Sequence, residues 1–120
     1  MAQPALVEGL LDYPEVAVLS DEIYARMCYD GVPHASLTAY PELEHRLILL
    51  DGWSKTYAMT GWRLGWGVWP EPLVEHATRL AINPHSCVNP APQWAGIEAL
   101  TGPQDAVDRM VAAFDRRRAV

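Results

Sequence analysis

Two short aliphatic runs, Val16-Ala17-Val18-Leu19 and Leu47-Ile48-Leu49-Leu50, constrain this chain more than any other feature. Neither is interrupted by a polar residue, which is the pattern of a strand covered on both faces in a parallel sheet. Open α/β sheets bind ligands at the carboxyl ends of their strands. The residues that follow each run therefore carry the most information. Ser20-Asp21-Glu22-Ile23-Tyr24 follows the first, and the second leads into Ser54-Lys55-Thr56-Tyr57-Ala58-Met59-Thr60-Gly61-Trp62-Arg63-Leu64-Gly65. Both polar clusters fall on one rim.

The rest of the chain supplies cover for such a sheet. Leu6, Val7, Leu10 and Leu11 recur with helical spacing, and Pro14 stops that helix before the first strand. From Ala25 to Arg46 the chain reads as loop, with a short helical turn near Ser36 to Tyr40. A third strand is expected around Leu64 to Trp69. Pro70 and Pro72 open a helix whose Leu73, Val74, Ala77, Leu80 and Ala81 share one face, ended by Asn83-Pro84. Asn89 is placed to cap a helix running to Leu100 with Gly102 as its stop. A last helix begins at Pro103 with Val107, Met110, Val111 and Phe114 on one stripe.

Taken singly, the rim residues have ordinary explanations. A lysine after a serine is usually solvated, an Asp-x-x-Tyr usually marks a strand end, and a lone arginine such as Arg63 usually makes a surface ion pair of small worth. Together they offer an amine, a carboxylate, a phenol and a guanidinium. Lys55, the only lysine in the chain, attacks a carbonyl only when partly deprotonated, which a desolvated or cation-flanked site favours. An ionised Asp21 keeps an aromatic ring nitrogen protonated and electron-withdrawing. Tyr24 can donate its phenol to a ring oxygen, and the planar fork of Arg63 suits a phosphate dianion better than a lysine would. These are the groups that pyridoxal phosphate requires at its aldehyde, ring nitrogen, ring oxygen and phosphate.

The segments Ser20 to Tyr24 and Ser54 to Gly65, with Tyr29-Asp30-Gly31 between them, resemble class I/II aminotransferases of the pyridoxal-phosphate fold type I superfamily, in the aspartate or aromatic aminotransferase-like branch. The likeness continues through Ser86-Cys87-Val88-Asn89, Gln93-Trp94-Ala95-Gly96 and Ala99-Leu100 to Arg116-Arg117. The resemblance implies an α/β fold, a piece of an α/β/α sandwich with mostly parallel strands and flanking helices. Residues 1–120 would be the central part of the large cofactor-binding domain, incomplete at both ends and ending in the helix that leads to the small domain. It implies pyridoxal 5'-phosphate as cofactor, with Lys55 as covalent anchor and proton carrier, Asp21 at the pyridinium nitrogen, Tyr24 at the ring oxygen, Arg63 at the phosphate and Ser54 assisting there. Trp62 and Met59 are expected to pack.

The implied reaction is transfer of an amino group from an L-amino acid, aspartate or a neighbour, to a 2-oxo acid, by a homodimer. The phosphate-capping loop, the ring-stacking aromatic, the Asn-Pro-Thr-Gly stretch and the substrate-gripping arginine of that family have no counterpart here, so the 120 residues alone are expected to be inactive. Two other classes share the same four groups: another fold type I enzyme, such as a carbon–sulfur lyase or a cyclopropane-forming synthase, and a non-enzymatic remnant that keeps family residues by descent.

Composition narrows the rest. A net charge of -6, from 9 basic and 15 acidic residues, argues against a nucleic-acid surface, and the run Arg116 to Arg118 is better read as complementing a helix dipole on a solvated face. Half the residues are hydrophobic and five are tryptophan, a load that calls for a larger body. Cys28 and Cys87 lack CxxC spacing and read as reduced packing residues. His34, His45, His76 and His85 lack metal-ligand spacing, so no metal is expected and polar or capping roles are. Gly61, Gly65 and Gly67 around Trp66 suggest close backbone approach in a strand rather than a dinucleotide loop. With no membrane-length apolar segment or secretory signal, a cytoplasmic location is expected.

Overall fold

The computed structural model describes residues 3–118. A three-stranded sheet of order β1-β2-β3 is built from β1 (Val18–Asp21), β2 (Leu47–Gly52) and β3 (Gly65–Val68), flanked by α1 (Gln3–Leu11), α2 (Glu71–His85), α3 (Pro90–Thr101) and α4 (Asp105–Arg118). β1 and β2 are parallel, with Val18 opposite Leu47 and Asp21 opposite Leu50. β3 returns antiparallel to β2, pairing Leu49 with Val68 and Gly52 with Gly65. One of the two pairings is therefore parallel, where mostly parallel strands were expected.

The aliphatic runs become strands, with unequal cover. Leu47 and Ile48 of the central strand are buried, as continuous apolar runs require. β1 is an edge of this sheet and begins two residues late, leaving Val16 exposed and Leu19 facing outward. β3 is exposed along its length. Glycines of the β2–β3 pairing serve close approach: a Cβ on Gly67 would stand 2.8 Å from the Trp69 indole nitrogen, and one on Gly52 would meet the Gly65 Cα at 2.9 Å.

A small core forms where α1 and the β1–β2 crossover meet. Val7, Leu37, Leu43 and Leu47 are buried together, with Leu10, Val18 and Tyr40 packed on them. The crossover holds more order than a loop reading allows. Ser36 caps a 3-10 turn at Leu37–Ala39, accepting from the Thr38 N–H at 3.2 Å. A second 3-10 helix, Pro41–Arg46, was not anticipated. Proline starts it, and Leu43 at its centre is fully buried.

Arg46 closes this region from within. Its guanidinium is buried and donates to the carbonyls of Tyr13 (2.7 Å), Val16 (2.8 Å) and Leu10 (2.9 Å). The Leu10 and Tyr13 carbonyls also accept from the Tyr13 and Val16 N–H groups, so Arg46 adds a second, charged donor to each and ties the α1–β1 connection together.

The later helices follow their signals with two corrections. Asn89 caps α3 through Oδ1, which accepts from the Ala91 N–H at 3.0 Å, and the Gly102 N–H ends it on the Glu98 carbonyl. Pro84 does not end α2, which continues to His85. A proline in the last turn removes a single N–H, that facing the carbonyl of Leu80, a residue open to water, so the helix tolerates it. The apolar stripe of α2 is not buried: Val74 and Leu80 are exposed, while Leu73 and Ala77 are half-buried. Cys87 is exposed rather than packed, and Cys28 is half-buried with its Sγ donating to the Ala25 carbonyl. Met59 is buried, whereas Trp62 is exposed, as are Trp66, Trp69 and Trp94. No helix among the described residues is long and apolar enough to cross a membrane.

Candidate functional site

β1 ends at Asp21, and the chain turns at once. The Glu22 N–H donates to the Leu50 carbonyl, prolonging the strand pairing by one bond, and the Ala25 and Met27 N–H groups donate back to Glu22 and Tyr24. This tight turn leaves the Asp21 carboxylate exposed, with Oδ1 accepting from the Ile23 N–H at 3.1 Å. Tyr24 follows, its ring also largely open.

The segment after β2 is held by backbone bonds from Trp53 to Leu64, Tyr57 to Trp53 and Ala58 to Lys55. Two residues in it adopt left-handed backbone, Ala58 and Arg63, each at φ 54°. Such positions are uncommon for residues with a Cβ and concentrate where a chain must present side chains in one direction. Between them lies the 3-10 turn Thr60–Trp62. Trp53 anchors the segment to α3, its indole N–H donating to the Gly96 carbonyl at 2.9 Å.

Lys55 Nζ lies 5.7 Å from the centroid of the Tyr24 ring, inside the range in which an ammonium is attracted to an aromatic face. Tyr24, Ser54 and Lys55 line one cavity of about 620 Å³, walled by Met27, Met110 and Phe114. Arg63 opens instead onto a neighbouring cavity of about 830 Å³, with Trp62, Cys87 and Asn89. Ala58 borders both. One Arg63 nitrogen, Nη1, donates to the Thr60 carbonyl at 2.8 Å, which leaves the other face of the fork available. Asp21 lines neither cavity; it stands at the end of β1, three residues before Tyr24.

Two features of the site were not read from the sequence. The first is the apolar wall that α4 supplies through Met110 and Phe114. Arg118 fastens that helix to the loop, pairing with Asp30 and Asp115 and lying 4.7 Å over the Tyr29 ring. The run Arg116 to Arg118 thus does more than solvate a helix end.

The second is Glu22, the only acidic side chain buried among the described residues. Its Oε1 accepts from Ser36 Oγ (2.9 Å), the Leu37 N–H (3.1 Å) and Ser20 Oγ (3.2 Å), and its Oε2 stands 2.7 Å from His34 Nε2. Burial opposes its ionisation, but the bonds from His34, Ser36, Leu37 and Ser20 outweigh it, so the carboxyl lies below the usual carboxylate range. His34 finds the polar role expected of it here. The signal for Glu22 was confined to a second carboxylate beside Asp21 in the polar cluster that follows the first aliphatic run.

Residues 4–120 match the family model described as "Aminotransferase class I and II". The chain belongs to this family. Within it, the aspartate aminotransferase of Geobacillus stearothermophilus is 40% identical over 105 residues, covering 85% of this chain and 26% of that protein. The crystal structure of the aspartate aminotransferase from Rhizobium meliloti superposes on 98% of this chain and 29% of its own, with a TM-score of 0.91 at 36% identity. The aromatic aminotransferase from Pyrococcus horikoshii OT3 matches with a TM-score of 0.90 at 31% identity, over 97% of this chain and 31% of that one. This aminotransferase chain therefore spans between a quarter and a third of the length of these relatives.

Proposed function

We propose that this chain holds pyridoxal 5'-phosphate and serves the transfer of an amino group from an L-amino acid to a 2-oxo acid. The observation that carries the reading is the pairing of Lys55 and Tyr24 across one cavity at the carboxyl rim of the sheet, beside Ser54, in a chain of the aminotransferase family. The donor set fits that cofactor. A single amine faces an open cavity with room for a pyridine ring, a phenol stands beside it, and a guanidinium with a free face borders the adjoining cavity.

When bound, the cofactor supplies an electron sink for the carbanion left by loss of the substrate α-proton. Lys55 would hold its aldehyde carbon, and its amine would move the proton at the substrate α-carbon. Asp21 would keep the ring nitrogen protonated through its negative charge; its carboxylate is exposed at the strand end, with Oδ1 accepting from the Ile23 N–H. Tyr24 donates its phenol to the ring oxygen. Arg63 grips the phosphate with its planar fork, and the Ser54 hydroxyl adds a neutral donor.

The names of the relatives support aspartate as amino donor, and the exposed side chains of Leu80, Trp94 and Ile97 support assembly as a homodimer. Borohydride reduction in the presence of pyridoxal phosphate, followed by peptide mapping, tests the assignment. The label belongs on Lys55; a label confined to the amino terminus overturns it.

A further inference from the structure

Glu22 stands between the two residues that the proposed function assigns to the ring nitrogen and the ring oxygen, yet its side chain turns away from both. Asp21 is exposed and Glu22 buried, the alternation expected where a strand leaves a sheet. Its carboxylate gathers four donors from two separate stretches of chain: Ser20 on β1, and His34, Ser36 and Leu37 on the crossover. The same residue's N–H and carbonyl hold the turn, one bonded to Leu50 on β2 and the other to the Ala25 N–H. Backbone and side chain of one residue thus join strand, turn and crossover.

An acceptor is required at this point. The Leu37 N–H is buried where it meets Glu22, and a buried donor without a partner carries the full desolvation penalty of that group. A carboxylate offers about four lone-pair sites over two oxygens, which matches the donors present. The turn that carries Asp21 and Tyr24 is otherwise short and open, with no apolar side chain of its own buried.

We propose that Glu22 is a positioning residue of the cofactor site, its buried bonds to His34, Ser36 and Leu37 fixing the turn that presents Asp21 and Tyr24. The proposal rests on the cofactor reading given above. It assigns Glu22 no contact with cofactor or substrate.

Three variants of the whole chain test it by two measurements, amide hydrogen exchange without cofactor and pyridoxal phosphate affinity by absorbance titration. Glu22→Met removes every acceptor at similar volume. Glu22→Gln keeps the oxygen that accepts three of the bonds and can donate to His34 in the tautomer that accepts. Leu43→Ala weakens the core on which Leu37 packs while leaving every donor and acceptor of the network in place. In Glu22→Met, exchange at the Ile23, Ala25 and Met27 amides should rise about tenfold, the factor carried by one lost bond to a charged group. Amides of α3 should not change. Cofactor affinity should fall by a similar factor in Glu22→Met, recover to within about threefold in Glu22→Gln, and hold in Leu43→Ala.

Unchanged exchange at Ile23 to Met27 in Glu22→Met overturns the proposal, as does an equal loss of affinity in Leu43→Ala, which would make Glu22 one structural residue among others. Absence of cofactor uptake by the unaltered chain strikes at the cofactor reading instead. The exchange measurement then decides the role of Glu22 in the turn by itself.

Discussion

The indole N–H of Trp53 donates to the carbonyl of Gly96 at 2.9 Å, and the missing side chain of Gly96 is what admits the ring. A Cβ there would lie 2.6 Å from Leu64 Cδ2 and 3.1 Å from Trp53 Cε2. Trp53 immediately precedes Ser54 and Lys55, so this contact sets the base of the lysine segment on α3.

Gly96→Ala should therefore destabilise the chain, although alanine is the better helix former. Helix propensity favours the change by up to about 1 kcal/mol, whereas overpacking costs about 1–3 kcal/mol. Leu64 is buried and the indole is tethered, so neither neighbour yields freely and the upper part of that range applies. Urea unfolding should show a lowered midpoint at constant slope.

Arg46→Lys should cost nearly as much as Arg46→Met. The three carbonyls of Leu10, Tyr13 and Val16 are served by two nitrogens of one planar group, a geometry that an ammonium on a flexible stem does not reproduce. Each bond to a charged donor is worth about 1.5–3 kcal/mol. A loss of about 3 kcal/mol, with faster amide exchange throughout α1, is expected for both; full stability in the lysine variant would count against the fork.

Acid should weaken the fold through Glu22. Its carboxyl titrates below the ordinary range in the folded chain, so its ionised form contributes stability that is complete above the unfolded value of about 4.3. That contribution is lost as the pH falls from there through the lower folded value. Unfolding free energy measured against pH should fall more steeply over this acid window in the native chain than in Glu22→Gln.

Arg63→Ala should separate the cofactor's phosphate from its ring. Affinity for pyridoxal phosphate should drop about tenfold or more, the worth of a charge-assisted bond. Affinity for pyridoxal, which has no phosphate, should stay as it was. Equal losses for both ligands in an absorbance titration would remove Arg63 from the phosphate.

What the sequence revealed of this arrangement was local. Asp21 and Tyr24 follow an aliphatic run directly, Lys55 follows another, and Asn89 and Gly102 carry their capping chemistry in their own side chain or backbone. Three of the four partners of Glu22 lie twelve to fifteen positions away in an irregular crossover, and the carbonyls that receive Arg46 lie thirty or more positions away, so no periodicity announces them. The direction of β3 was equally hidden, because a strand's composition reports its cover and not the sense in which it is paired. The α2 stripe shows the converse case: helical spacing was right, but the described residues leave Val74, Leu80 and Ala81 exposed and cover Leu73 and Ala77 only in part.

The strand pairings differ in how far apart in the chain their partners lie, the parallel β1–β2 pair being the more distant. Closing a longer loop costs more entropy before any contact repays it. β2 and β3 close around the lysine segment alone, whereas β1 and β2 enclose the whole crossover with its two 3-10 helices. Lys55 and Arg63 thus share the shorter closure, and Asp21 and Tyr24 depend on the longer one, which Arg46 and Glu22 tie down at its two ends.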